Sequence, residues 1–170
     1  MTLENYPLLK KGIYLNTAYM GLMSVSLSNY RRDYEQGYLN EGDSYKFNAD
    51  NLLSDTHVNL SNFFGSKEKN TFVIPNFSTG IRKITNYLPI NLNVLLIKDD
   101  YPSLVNAFDE KKFNIESIEI QDNLELEIEK RINHKKIDVL AISIVQYASG
   151  LLIDINFLKK LKSQYPDLII

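Results

Sequence analysis

Cysteine and tryptophan are both absent from this chain of 170 residues. The lack of cysteine excludes disulfides and thiolate metal sites, and two histidines as widely separated as His57 and His134 do not suggest a zinc centre. No apolar run approaches the roughly 20 residues that a membrane helix needs, and the N-terminal residues lack the pattern of a signal peptide. We therefore expect a cytoplasmic protein with no membrane span and no metal.

A strong excess of charge of either sign is also lacking. The 19 basic residues are balanced by 21 acidic residues, so the net charge is −2. Proteins that bind nucleic acid carry basic surfaces, and this balance gives no electrostatic reason to expect such a partner. The hydrophobic fraction of 44% is ordinary for a globular protein, and a chain of this length is able to bury a substantial core.

Strand-like and helix-like stretches alternate from about residue 71 onward. Strands are predicted at about 71–75, 93–98, 115–120 and 138–145, and helices at about 78–88, 102–112, 123–133 and 154–164. This alternation is typical of an α/β fold with a mainly parallel sheet and helices on both faces. Two further helices are predicted before it, at about 27–47 and 50–64. We therefore divide the chain into an N-terminal arm with helices, residues 1–65, and the beginning of an α/β domain, residues 66–170.

Residues 71–81 have the pattern of a strand, a tight turn and a helix N-terminus. The free N–H groups at a helix start and the positive end of its dipole favour an anion such as phosphate. Ser78 and Thr79 add two hydroxyl donors at this position. In a simpler alternative, Ser78 only caps the helix, because serine is preferred there with or without a ligand. The pattern is compatible with both interpretations.

Polar or aromatic side chains follow three of the predicted strands. They are Ser78 and Thr79 after the first strand, Tyr101 after the second, and Gln146 and Tyr147 after the fourth. The carboxyl ends of parallel strands meet at one edge of a sheet, so we expect these residues to lie near one another. An anion-binding turn, an aromatic ring and hydrogen-bonding groups at one edge would suit a flat, phosphorylated aromatic ligand.

Other signatures of catalytic or nucleotide sites are missing. The sequence has no G-x-G-x-x-G motif, no P-loop motif and no G-x-S-x-G nucleophile elbow, which weakens dinucleotide, nucleoside triphosphate and acyl-transfer functions. Asp99 and Asp100 are adjacent at a strand end, where neighbouring side chains point in different directions. We interpret this pair as a solvated turn and not as a paired-carboxylate or magnesium site.

Four short motifs occur along the chain, at residues 14–21, 73–81, 100–103 and 142–150. They read YLNTAYMG, VIPNFSTGI, DYPS and ISIVQYASG. In this order they resemble successive landmarks in the N-terminal portion of the class V aminotransferases, a family that includes the cysteine desulfurases and belongs to fold type I of the pyridoxal-phosphate enzymes. The resemblance implies an α/β cofactor-binding domain that holds pyridoxal 5'-phosphate, an amino acid as the small-molecule substrate, and a homodimer.

The resemblance also implies roles for residues that would contact the cofactor. Ser78 and Thr79, with the backbone amide of Phe77, match the positions that hold the cofactor phosphate in the family. Tyr101 matches an aromatic position, often histidine in the desulfurases, that stacks on the pyridine ring. A tyrosine is able to stack, although it lacks the ring N–H of histidine.

Two further segments match the family less closely. Tyr147 falls where many relatives have an asparagine near the ring hydroxyl of the cofactor, and Gln146 directly precedes it. The resemblance therefore leaves open which of the two residues contacts the ring. Asn16, Thr17 and Ala18 match an N-terminal segment that lies over the substrate side, in some relatives across a dimer interface.

Two central catalytic residues of the family have no counterpart in this sequence. The aspartate that pairs with the pyridine nitrogen and the Schiff-base lysine would both follow Ile170, so we assign no catalytic residue. The apolar residues 168–170 resemble the start of a strand, and we expect the sequence to be cut within a sheet. Two alternatives stay open: a non-catalytic relative, or an unrelated parallel α/β domain that binds a phosphorylated metabolite or a protein partner.

Overall fold

A computed structural model describes residues 3–47, 49–108 and 112–170 of the chain. These residues form two compact units, Met1–Val73 and Ile74–Ile170. The predicted division after residue 65 stays a prediction. Within the described ranges, no helix is both long enough and apolar enough to cross a membrane.

The first unit is helical. Its helices are α1 (Val25–Glu41), α2 (Ser44–Phe47) and α3 (Ala49–Phe64), with short 3-10 turns at Pro7–Lys10 and Glu68–Asn70. The single helix predicted over 27–47 is therefore wrong, because α1 and α2 are separated at Gly42, whose φ of 58° glycine adopts without strain. The helix predicted over 50–64 is confirmed as α3. Gly65, with a φ of 63°, follows the end of α3 in the left-handed conformation common after helices.

The second unit contains a parallel sheet. Its elements are α4 (Phe77–Tyr87), β1 (Asn93–Ile97), α5 (Pro102–Val105), β2 (Asn114–Ile118), α6 (Leu124–His134), β3 (Val139–Ala141) and α7 (Ile155–Gln164). The strand order is β2-β1-β3, and both strand pairs are parallel. Ile169 forms an isolated parallel bridge with Val139, so the last residues of the chain lie beside β3. The predicted α/β fold with a mainly parallel sheet is confirmed.

Helices cover both faces of the sheet, as predicted. The apolar residues of β1 alternate between the two faces, since successive side chains in a strand point in opposite directions. Leu95 and Ile97 pack with buried residues of α6 and α7, whereas Val94 and Leu96 pack with Leu104 of α5. This double coverage explains why the sequence of β1 is continuously apolar.

Three further predicted elements differ from the structure. Of the strand predicted over 138–145, only Val139–Ala141 forms β3. Residues 71–75, predicted as a strand, join no ladder among the described residues, and Phe72, Val73 and Ile74 are exposed. Residues with high β-propensity form a strand only where a neighbouring strand supplies hydrogen-bond partners. The helix predicted over 102–112 is confirmed only as the single turn of α5, and residues 109–111 lie outside the described residues.

A carboxylate joins β1 and β3 at the amino end of the sheet. Asp138 Oδ2 accepts hydrogen bonds from the backbone N–H of Asn93 at 2.9 Å and from its side-chain Nδ2 at 3.2 Å. The bond from the Asn93 backbone lowers the pKa of the Asp138 carboxyl, burial acts in the opposite direction, and the neighbouring Lys136 lowers the pKa further. The charged form of Asp138 therefore stabilises the folded state.

We expect the Asp138→Asn variant to lower the free energy of unfolding by about 1–3 kcal/mol at neutral pH. A carboxyl whose pKa is lowered on folding contributes stability above its unfolded pKa, and this contribution is lost as the pH falls through the folded pKa. The difference between wild type and variant should therefore shrink in acid. Urea unfolding across this pH range measures it, and a difference that does not change with pH would contradict the assigned role.

Candidate functional site

Helix α4 begins with an asparagine cap. The side-chain Oδ1 of Asn76 accepts a hydrogen bond from the backbone N–H of Thr79 at 2.9 Å. The backbone carbonyl oxygen of Asn76 accepts the N–H of Gly80 at 3.2 Å. The alternative in which Ser78 caps the helix is therefore wrong, because Ser78 is the second residue inside α4. Two helix-start N–H groups, those of Phe77 and Ser78, have no acceptor among the described residues.

Hydroxyl groups lie beside these two N–H groups. Ser78 Oγ donates to Ser103 Oγ at 2.8 Å, which connects the start of α4 to α5. Ser78 and Thr79 are both partly buried. The first turn of α4 therefore offers backbone N–H groups, hydroxyls and the positive end of a helix dipole, the donors that bind an anion. Sequence reasoning missed Ser103, although it lies in the DYPS motif, two residues after Tyr101.

Three aromatic rings lie in contact next to this helix start. The ring centroids of Phe77 and Tyr101 are 5.5 Å apart in an edge-to-face arrangement, and those of Tyr101 and Tyr147 are also 5.5 Å apart. Tyr101 is 38% exposed and lies between the other two rings. The structure thus brings together residues from the ends of three predicted strands, as the sequence indicated.

Asp100 connects two strand ends from a buried position. One carboxylate oxygen accepts the backbone N–H of Tyr101 at 2.6 Å, and the other accepts the N–H of Ser143 at 2.8 Å. Only 2% of Asp100 is exposed, so the interpretation as a solvated turn is wrong for this residue. It holds for Asp99, which is exposed and adopts a positive φ of 61°. The sequence offers two adjacent acidic residues at this strand end, and nothing local distinguishes the buried Asp100 from the exposed Asp99.

Gln146 is buried directly before Tyr147. Its Nε2 donates to the carbonyl oxygen of Ser143 at 2.6 Å, while its Oε1 is buried with no hydrogen-bond partner among the described residues. A buried acceptor without a donor costs free energy, which a water molecule or a ligand group would remove. The turn that follows closes through a hydrogen bond of 2.8 Å from the N–H of Gly150 to the Gln146 carbonyl oxygen.

A surface cavity of 360 Å³ borders Tyr147. Its lining includes the buried Asp100 and, from α5 and the residue after it, Val105 and Asn106. The volume lies within the range of pockets that bind small molecules. Of the three aromatic residues, Tyr147 therefore borders a space large enough for a flat ring.

Asn16, Thr17 and Ala18 lie in the first unit and are exposed. The carbonyl oxygen of Asn16 accepts the N–H groups of Tyr19 at 3.2 Å and Met20 at 3.1 Å, so the segment forms a turn that presents these three side chains outward. Their role towards a substrate stays a prediction.

Comparison with known proteins identifies the fold. No family model matches the sequence, and no curated protein matches it. A solved structure of a lysine-to-alanine variant of C-DES, with glycine covalently linked to the PLP cofactor, matches 97% of this chain with a TM-score of 0.81 at 13% identity. The match covers 46% of that chain, so the present sequence spans about half the length of the structure that it matches. The fold is therefore that of about half of the C-DES chain, which agrees with the α/β fold that the sequence motifs predicted.

A second solved structure shows a weaker likeness. Pyrococcus horikoshii kynurenine aminotransferase, in complex with PMP, matches 54% of this chain and 26% of its own chain. The identity is 21% and the TM-score is 0.43, which is too low to show a shared fold.

Proposed function

We propose that this chain supplies part of the pyridoxal 5'-phosphate cradle of a class V aminotransferase-like enzyme. One observation carries the proposal: the start of α4, with two N–H groups available, adjoins the rings of Phe77, Tyr101 and Tyr147. An anion-binding turn beside a cluster of aromatic rings matches the two ends of a phosphorylated pyridine. The fold shared with C-DES, a protein that holds PLP, supports this choice of ligand.

The donors at the start of α4 fit a phosphate. The N–H groups of Phe77 and Ser78 and the hydroxyls of Ser78 and Thr79 are neutral donors on one helical turn, where the dipole favours a negative charge. In this structure the Ser78 hydroxyl donates its one proton to Ser103 Oγ at 2.8 Å; with a phosphate bound, Ser103 would donate to Ser78 Oγ instead and leave the Ser78 proton for the anion. We assign these groups to the cofactor phosphate.

The aromatic and amide groups fit the ring. Tyr101 is supported from two sides by Phe77 and Tyr147 and presents part of its surface to solvent, which suits a stacking partner. The partnerless Oε1 of Gln146 is a hydrogen-bond acceptor that a ring hydroxyl would satisfy. Gln146 is therefore a stronger candidate for this role than Tyr147, which is 64% exposed.

The activity of the whole protein is part of the same proposal. Bound pyridoxal phosphate supplies an electron sink that stabilises negative charge on an amino acid substrate. We propose a cytoplasmic homodimer that acts on an amino acid, with Asn16, Thr17 and Ala18 on the substrate side. The covalent lysine and the acidic partner of the pyridine nitrogen are not assigned to any residue of this sequence.

Replacing the two hydroxyls at the start of α4 tests the proposal. We expect the double variant Ser78→Ala with Thr79→Ala to bind pyridoxine 5'-phosphate about 10-fold to 100-fold more weakly, since each lost bond to a charged group costs about 1 kcal/mol or more. This ligand has no aldehyde and so does not react with lysines. Ser163→Ala, which removes an exposed hydroxyl from α7, is the matched control. Calorimetry measures all three proteins.

Unchanged affinity in the double variant would remove the phosphate role from α4. The alternative of a domain for another phosphorylated metabolite makes a different prediction, namely that inorganic phosphate and pyridoxine 5'-phosphate bind equally well. Measuring both ligands on the wild-type chain therefore separates the two functions.

A further inference from the structure

We infer that Asp100 is a positioning residue, whose carboxylate holds Tyr101 and the loop after β3 in the arrangement that a stacked ring requires. The inference rests on the proposed function, because it concerns the same site. It assigns Asp100 no contact with the ligand. Asp100 acts on the site indirectly, through the backbone of the two loops that its carboxylate joins.

The geometry of the carboxylate carries the first step. Asp100 is 2% exposed, and each of its oxygens accepts one backbone N–H, from Tyr101 at 2.6 Å and from Ser143 at 2.8 Å. Tyr101 is the next residue, whereas Ser143 is distant in sequence and follows β3. Hydrogen bonds to an ionised acceptor are about twice as strong as neutral ones. One side chain therefore joins the end of β1 to the end of β3.

The contacts continue from Ser143 back to Tyr101. The carbonyl oxygen of Ser143 accepts Gln146 Nε2 at 2.6 Å, Gln146 directly precedes Tyr147, and the ring centroids of Tyr147 and Tyr101 are 5.5 Å apart. These residues form a closed circuit through hydrogen bonds, ring contact and the chain itself. The Asp100 carboxylate joins the two loops by hydrogen bonds, and without it the contact between the exposed rings of Tyr101 and Tyr147 would remain.

The phosphate donors of α4 lie outside this circuit. The N–H groups of Phe77 and Ser78 belong to a different element, and Asn76 fixes the start of that helix. Loss of the Asp100 carboxylate should therefore reduce affinity for the ring of a ligand while affinity for phosphate alone is retained. If Asp100 only stabilised the fold, its loss would reduce stability without separating affinity for the ring from affinity for phosphate.

The test compares Asp100→Asn with Asp138→Asn. Asp138 is a matched control because its carboxylate also accepts a backbone N–H and also joins β1 to β3, but at the opposite end of the sheet. We expect Asp100→Asn to weaken pyridoxine 5'-phosphate binding about tenfold or more and to leave inorganic phosphate binding within about twofold. Asp138→Asn should leave both affinities within about twofold. Equal affinity for pyridoxine 5'-phosphate in both variants, measured where both are folded, would overturn the inference.

A second readout does not depend on the ligand. Nuclear Overhauser contacts between the rings of Tyr101 and Tyr147 should be lost in Asp100→Asn and kept in Asp138→Asn. If wild type fails to bind pyridoxine 5'-phosphate, the proposed function fails, yet loss of these contacts would still support positioning by Asp100. Ring contacts that persist in Asp100→Asn would overturn it.

Should Asp100→Asn not fold, amide hydrogen exchange in the wild-type chain decides the question. The Ser143 N–H lies outside the strands, and its bond to Asp100 should slow its exchange to a rate close to that of Leu96 in β1. Exchange as fast as that of the exposed Ala148 would contradict the inference.

Discussion

The Ser78→Asp variant should bind pyridoxine 5'-phosphate with an affinity roughly 100-fold or more below that of wild type, while its stability stays unchanged. A carboxylate at the second position of α4 would occupy the place of the phosphate and repel it. A repulsion of about 3 kcal/mol at close range corresponds to this loss of affinity. The same charge interacts favourably with the helix dipole, by about 0.3–1 kcal/mol, which offsets the lost bond to Ser103.

The control for this variant is Asn156→Asp. Asn156 is the second residue of α7, so the substitution introduces an acidic side chain at the same position of another helix. Affinity for pyridoxine 5'-phosphate should not change. Calorimetry and thermal unfolding of both variants measure affinity and stability separately. A Ser78→Asp variant that binds as tightly as wild type would show that α4 does not hold the phosphate.

The Leu124→Ala variant should lower the free energy of unfolding by about 2–5 kcal/mol. Leu124 begins α6, is 1% exposed, and packs in the cluster that includes Leu95, Ile97 and Leu140 of the sheet. Truncating it removes buried apolar surface and leaves a cavity against β1 and β3. The loss would be a large part of the stability of a domain of this size.

Leu126 provides a matched comparison on the same helix. Its side chain is 49% exposed, so the change Leu126→Ala should alter the free energy of unfolding by less than about 1 kcal/mol. Urea unfolding of the two variants gives both values. Similar losses in the two would show that α6 does not face the sheet in the way described.

Elements with a strong local signal were predicted from the sequence. The apolar run of β1 has four consecutive residues, Val94, Leu95, Leu96 and Ile97, that are all buried, and only burial on both faces of a sheet explains such a run in a strand. The helix after residue 76 was also predicted within one residue of its start. In these cases local propensity and tertiary packing agree.

Features that depend on distant partners were not predicted. Residues 71–75 were predicted as a strand from their composition, but pairing depends on a neighbour that the local sequence does not specify. Similarly, the burial of Asp100 depends on the Ser143 N–H, which is far away in the sequence. The choice of Asn76 over Ser78 as the cap of α4 depended on a register difference of two residues, since both residue types are good caps.

A cofactor site at the start of α4 is tested by titrating the labelled wild-type chain with pyridoxine 5'-phosphate and following backbone amide shifts by NMR. We expect saturable shifts that are largest for Phe77, Ser78 and Tyr101, because their N–H groups or rings adjoin the ligand. The amides of Ile155 and Asn156, at the start of α7, should stay unchanged. Shifts that do not saturate, or that are as large at α7 as at α4, would contradict a cofactor site at the start of α4.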